Sequence, residues 1–461
     1  MKYSSITCIV FVVFQIYSQG LFAEEGRYVI EGLTFKAAGE AAVAASKELQ
    51  AEYGIHGLKL KAHSLGVISY FPKLSLSAYE DEVLSQISTD TFMKNYSIGV
   101  EQMIFDGGRL HISRKIEKSK LALEYNALNR KAREISESAI TMYQKILAGR
   151  MNLQIRENSL KALQEQQRIL KTEFKLGMVL ESELTTADIS IKESQIEILN
   201  EKMELEEIEH QFIEMLGFDT LPDLSETIDV EREAALPSVH LVRSTAQVRN
   251  PDLITAQLSI KEKQEAAKAS FLSWIPTLSA NGNFTLRGTS YPLTHYTWSI
   301  GLSLQFASPW LSGSSSATTG FEDRTSQNFR LQGSAQPLSD PSSSVNYDQA
   351  KIALNLERSN YNLSFERLGR SAEQAVEKFK FIEQKRMLTL ESRKLALEKI
   401  DLLRLKNKLG LNTVLDLMEA QVECMQKELE LVQAALNVLA AEHEIEKLMD
   451  INTGELKDYV K

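Results

Sequence analysis

Asp416 and Glu419 lie three residues apart in a helix-patterned segment, so their side chains share one helix face. Two acids on one face can hold cations. They can equally favour a helix start, where negative charge meets the positive end of the helix dipole. The sequence leaves both readings open. Glu183, with Thr186 beside it, holds a comparable place earlier in the chain. Other chemistry finds little material. The 7 histidines are scattered, and none has metal-ligand spacing with cysteine or carboxylates. His56 and His63 are seven apart on an expected helix and read as a solvated or packed pair. No Gly-x-Ser-x-Gly nucleophile motif occurs. Asp106, Gly107 and Gly108 lack the spacing and lysine of a phosphate loop; they suit a sharp turn into a helix start. The chain therefore reads as a protein that performs no reaction. Its net charge of −10 argues against holding nucleic acid on a broad basic surface.

The acids belong to two segments that read almost alike. Phe174-Lys-Leu-Gly177 precedes Glu183, Leu184 and Ala187; Asn407-Lys-Leu-Gly410 precedes Asp416, Leu417 and Ala420. Gly410 stands 233 residues after Gly177, and each copy sits between two long helix-patterned stretches, as the tip of a helical hairpin would. The correspondence continues upstream. Tyr70-Phe-Pro-Lys-Leu74 matches Trp274-Ile-Pro-Thr-Leu278 at a spacing of 204, and Ser97-Ile-Gly-Val100 matches Ser299-Ile-Gly-Leu302 at 202. The rise from 202 to 233 implies 31 extra residues in the second half. The Ser-, Gly- and Pro-rich stretch 308–346 accounts for them and reads as a flexible insertion. Residues 1–23 read as a signal peptide, 24–219 as a first repeat and 220–249 as a linker. Residues 250–461 read as a second repeat.

The elements that carry these residues follow from periodicity. Tyr296, Trp298, Ile300, Leu302, Leu304 and Phe306 alternate with Thr297, Ser299, Gly301, Ser303 and Gln305, which predicts a strand with one apolar and one polar face. Leu278 to Leu286 alternates likewise, and Leu74, Leu76, Ala78, Tyr96, Ile98 and Val100 give a less regular pair. The expected β-hairpins are 70–105 and 274–306. The strands reach the roughly 9–11 residues a tilted transmembrane strand needs. Tyr96, Tyr296, Trp298 and Phe306 suit the membrane interface near strand ends. Beyond each hairpin the period becomes heptad-like: Ala132, Ile135, Ala139, Met142, Ile146, and again Ala372, Ala375, Phe379, Ile382. Long helices are expected over 107–217 and 347–450. With the signal peptide and its Cys8 removed, only Cys424 would remain, on an apolar stripe with Leu417 and Ala420.

Helix, strand, strand, long helix, tip and returning helix, written twice, resembles the TolC-type outer-membrane efflux protein family over nearly the whole mature chain. The resemblance rests on Phe105-Asp106-Gly107-Gly108-Arg109, on the two tips, and on the two-half layout. It implies an α+β membrane protein in which a long coiled-coil-like helical barrel continues into a transmembrane β-barrel. Four strands per subunit would give 12 in a homotrimer. It implies an exit duct in the outer-membrane lipid, working with a periplasmic membrane-fusion adaptor and an inner-membrane transporter in efflux or type I secretion. It further implies that Asp416 and Glu419, with Glu183, ring a cation-sensitive periplasmic gate. Leu176-Gly177-Met178 and Leu409-Gly410-Leu411 would meet the adaptor. Asn407 and Asn412 depart from the family pattern at the closing contacts. No cofactor or metal is implied. The competing reading is a soluble periplasmic coiled-coil adaptor.

Overall fold

The computed structural model describes residues 32–83, 91–232, 234–322, 326–338, 341–451, 453–454 and 456–459. The expected signal peptide lies outside them.

Two short helices, α1 (Phe35–Ala45) and α2 (Lys47–Leu65), open the described chain. Thr34 and Ser46 cap them, each accepting a hydrogen bond from the backbone three residues on. Strands β1 (Lys73–Val83) and β2 (Thr91–Phe105) lead into α3 (Arg109–Lys175) and the returning α4 (Glu181–Leu216). The second half repeats the order. Helices α5 (Val239–Arg249) and α6 (Pro251–Leu272) precede β3 (Thr277–Gly288) and β4 (His295–Ala307). Then come β5 (Leu311–Glu322), β6 (Ser326–Pro337), α7 (Ser342–Lys408), α8 (Val414–Met449) and a final turn α9 (Leu456–Tyr459).

Both long helices have 67 residues and both returning helices have 36. At about 1.5 Å per residue the long ones reach roughly 100 Å, which puts the tips far from the sheet. Neither contains proline, so nothing removes a helix hydrogen bond along the way. Such rods have no core of their own and bury narrow stripes against each other. One apolar cluster joins Ala38, Ala42, Ala139, Ile146, Phe212 and Leu216 from α1, α3 and α4. A second joins Val242, Ala372, Phe379, Ile445 and Met449 from α5, α7 and α8. Ala139, Ile146, Phe212 and Leu216 have counterparts 233 residues later in Ala372, Phe379, Ile445 and Met449.

The sheet is antiparallel, in the order β1-β2-β3-β4-β5-β6. This corrects two expectations. The described residues of this chain form six strands, not four, and most of the stretch 308–346 is a β-hairpin rather than a flexible insertion. Every residue of β6 has a partner on β5, from Ser326 opposite Glu322 to Pro337 opposite Leu311. Residues from Ser342 onward already belong to α7. The physical reason is that small Ser, Thr and Gly side chains are compatible with a strand that has neighbours on both sides. Backbone pairing and alternation hold it, with little help from bulky side chains.

Candidate functional site

Three places concentrate the residues singled out by sequence: the helix tips, the strand-to-helix junction, and the sheet.

The two tips have one geometry. Gly177 and Gly410 are left-handed, at φ of 69° and 70°. The Gly177 N–H bonds Phe174 O at 3.0 Å and Met178 N–H bonds Glu173 O at 3.0 Å. In the second tip Gly410 N–H bonds Asn407 O at 2.9 Å and Leu411 N–H bonds Lys406 O at 3.0 Å. These are paired Schellman closures, which satisfy the last helix carbonyls and require a residue at ease with positive φ. The apolar residues around them find nothing to cover them: Leu176, Met178, Leu409 and Leu411 are 70–73% exposed. The tips sit at one end of the molecule, because Val414 and Met418 of α8 pack with Leu163, Leu170, Ala187 and Ile191 of α3 and α4.

The three acids behave differently. Asp416 closes a capping box: its carboxylate accepts from Thr413 N at 2.9 Å, and Thr413 Oγ1 accepts from Asp416 N at 3.2 Å. Glu419, one turn on, is exposed. The first tip has Leu180 where the second has Thr413, so α4 starts without a side-chain cap. Glu183 therefore has no reciprocal partner, and its Oε2 is buried without a hydrogen bond. Asn407 reaches across its own tip to Asn412 O at 3.2 Å. The Asn412 amide has neither of its polar atoms hydrogen-bonded.

At the junction, Asp106 holds the first turn of α3. Its carboxylate accepts from Gly108 N at 2.8 Å and Leu110 N at 2.7 Å. Gly107 and Gly108 both take positive φ, and a Cβ on Gly107 would stand 2.9 Å from Ile275. Arg109, in the sequence only one residue of the motif, ties the two halves together. Its guanidinium donates to Leu272 O at 3.0 Å, Ser273 O at 2.7 Å and Ile275 O at 2.5 Å. A charge in the first half thus closes the carbonyl end of α6 in the second.

The sheet presents one apolar face. Leu74, Leu76, Ile98, Ile300, Leu302, Phe329 and Leu331 are all exposed on it. The opposite face carries Ser75, Ser77, Asn283, Ser299, Ser303 and Gln332 in register. Aromatic side chains mark both ends. At the end away from the helices, Tyr96 and Tyr291 share Glu80, which also pairs with Lys94 at 2.8 Å. Tyr296 stacks with Phe284 at 6.4 Å, and Trp298 meets Phe321 in a tilted pair at 5.1 Å. Phe306 and Trp310 lie at the helix-proximal end.

The histidines noted in the sequence are structural. His63 pairs with Glu117 at 2.8 Å, and His56 stacks on Tyr125 with ring centroids 5.8 Å apart. Cys424 is buried with Ala396, Ile400, Leu417 and Ala420, and burial pushes its thiol pKa up. No described helix is long and apolar enough to cross a membrane.

No family model matches the sequence, and no curated protein matches it. Solved structures do. A structure of CusC, described in terms of folding and transmembrane channel formation, superposes with a TM-score of 0.74 at 13% identity, covering 94% of this chain and 96% of that one. The Vibrio cholerae outer membrane protein VceC gives 0.71 at 12% identity, covering 91% and 96%. The Campylobacter jejuni CmeC outer membrane channel gives 0.70 at 13%, covering 93% and 89%. This chain has the fold of these outer-membrane channels.

Proposed function

We propose that this chain, built on the fold of the TolC-type outer-membrane channels, is one subunit of a trimeric exit duct in the outer membrane. One observation carries the reading: a sheet with an exposed apolar face, a polar opposite face and two open edges continues directly into two 67-residue helices, each about 100 Å long and each packed on a shorter returning helix. A sheet with open edges cannot lie alone in lipid, where each unpaired backbone group costs several kcal/mol. Subunits that join edge to edge remove that cost and enclose the polar face as a lumen. The equal helix lengths, and the buried residues repeated 233 apart, support an internal two-fold repeat that lets three subunits build one helical cylinder.

On this reading the duct conducts passively and reaches through the periplasm. Its tips meet a membrane-fusion adaptor coupled to an inner-membrane transporter, in drug efflux or type I secretion. Glu419 and Glu183, with Asp416, set the charge of the periplasmic mouth. The exposed Leu176, Met178, Leu409 and Leu411 give an adaptor helix apolar surface to cover.

Fractionation of the native host tests the reading. The expected result is an outer-membrane protein that migrates as an SDS-resistant trimer, with a deletion strain more sensitive to exported compounds or deficient in a secreted protein. A soluble monomer would overturn it and favour the adaptor reading.

A further inference from the structure

The register of the sheet says more about how copies join. Lys73, the first residue of β1, lies in one cross-strand row with Glu101, Asn281, Gly301, Thr318 and Arg330. Yet Arg330 is well inside β6 (Ser326–Pro337), while all of β1 (Lys73–Val83) lies on the far side of that row. The strand midpoints therefore slide toward the helices by about 1.3 residues per step, which at about 3.3 Å per residue and 4.8 Å between strands is a tilt of roughly 40°. Barrel strands tilt by about 35–45°. The sheet has the average tilt of a barrel arc; β5 continues the slide from β4, and β6 ends flush with β5, from Glu322 opposite Ser326 to Leu311 opposite Pro337.

The faces agree. On β6, Phe329, Leu331, Gly333 and Ala335 continue the apolar face, and Asn328, Arg330, Gln332, Ser334 and Gln336 continue the polar one. With 12 residues, each of the two extra strands is long enough to cross the membrane. Two edges stay open, one on β1 and one on β6. The edge of β4, by contrast, is filled along its length by β5, from Thr297 opposite Glu322 to Ala307 opposite Ser312.

We propose that β6 of one copy pairs antiparallel with β1 of the next, so that three copies close a barrel of 18 strands rather than 12. This rests on the outer-membrane trimer proposed above. One more step of the observed stagger makes the total shift about eight residues around each subunit, an even number, as is required to keep apolar residues outside. That shift sets Arg330 opposite Asp81 of the next copy on the polar face, with Ser334 opposite Ser77 and Leu76 opposite Ala335. An acid and a base then face each other across the joint, and the added hairpin widens the lumen, since barrel diameter grows roughly linearly with strand number.

Cysteine cross-linking in the full chain reads the joint directly. In a Cys424→Ser background, Ser77→Cys combined with Ser334→Cys is expected to give covalent dimers and trimers under non-reducing conditions. Ser77→Cys with Ser303→Cys is expected to give none. Cross-linking of 77 to 303 instead would show four-strand closure with the β5–β6 hairpin displaced, and overturns the proposal. So does a membrane-embedded trimer in which 334 links to none of 75, 77 or 79. Absence of any membrane trimer is a separate result: it removes the duct reading itself, together with this joint. Strand counting by electron microscopy of the trimer in nanodiscs gives an independent answer, 18 against 12.

Discussion

At the residue scale, Asp416 carries two separable properties, a cap and a charge. Thr413→Ala removes the cap and keeps the acid, so it is expected to cost about 0.5–2 kcal/mol of local stability with cation block unchanged. Glu419→Ala makes the opposite change, and is expected to weaken divalent-cation block in single-channel recordings with little effect on stability. Unchanged block in Glu419→Ala combined with Asp416→Asn would remove these acids from the gate. Glu442 offers a test of a different kind. Burial is the main cause raising its pKa above the ordinary 4.5; Arg232 opposes the rise, Glu446 and Glu383 add to it, and Lys457 opposes it weakly. The folded state therefore holds this proton more tightly than the unfolded chain. Its contribution is fully present below about pH 4.5 and is lost as pH rises through the higher folded value. Glu442→Gln is expected to flatten that fall, as seen by thermal unfolding of both proteins across pH 4–8. The spacing of Asp416 and Glu419 was legible in the sequence. Which of the two is taken up by a cap was not read, although Thr413, three residues before Asp416, carries the capping-box signal.

At the element scale, the linker between the halves is fastened by charge. Arg386 is 2% exposed, chelates Glu383 at 2.7 and 2.9 Å, and donates to Val230 O at 2.8 Å. Breaking one side of a buried pair strands the other charge, so Arg386→Met is expected to cost about 3–5 kcal/mol in urea unfolding of the solubilised protein. Adding Glu383→Gln to it is expected to recover a large part of that loss; no recovery would mean that the bond to Val230 carries the effect. The strands show where sequence reading reached its limit. Four were legible because bulky apolar residues such as Trp298, Ile300 and Leu302 alternate with polar ones. The fifth and sixth were hidden by composition. Ser312, Gly313, Ser314, Ser315 and Ser316 look like a loop, although Phe329 and Leu331 around Arg330 already alternate. β4 supplies the pairing for β5 and β5 for β6, neighbours that composition does not reveal. Arg109 escaped for a related reason: its three carbonyl partners lie more than 160 residues away.

At the scale of the whole molecule, the tips leave Leu176, Met178, Leu409 and Leu411 uncovered, and the proposed adaptor contact is tested there. Their Schellman closures satisfy the backbone internally, while the leucines and Met178 stay largely exposed. Gly177→Asp and Gly410→Asp together place charge on that apolar surface and strain the left-handed turn, at about 1–2 kcal/mol for each residue. That cost falls on the turns, and the clusters around Phe212 and Phe379 lie far from them. The expected outcome is an SDS-resistant trimer at normal levels with export reduced to that of the deletion strain. Gly177→Asn with Gly410→Asn separates the two effects, because asparagine tolerates positive φ and brings no charge; export is expected to persist. If the aspartate pair exports normally, the tips do not dock a partner. If the asparagine pair fails as well while the trimer persists, docking depends on the bare glycine backbone rather than on an uncharged apolar surface.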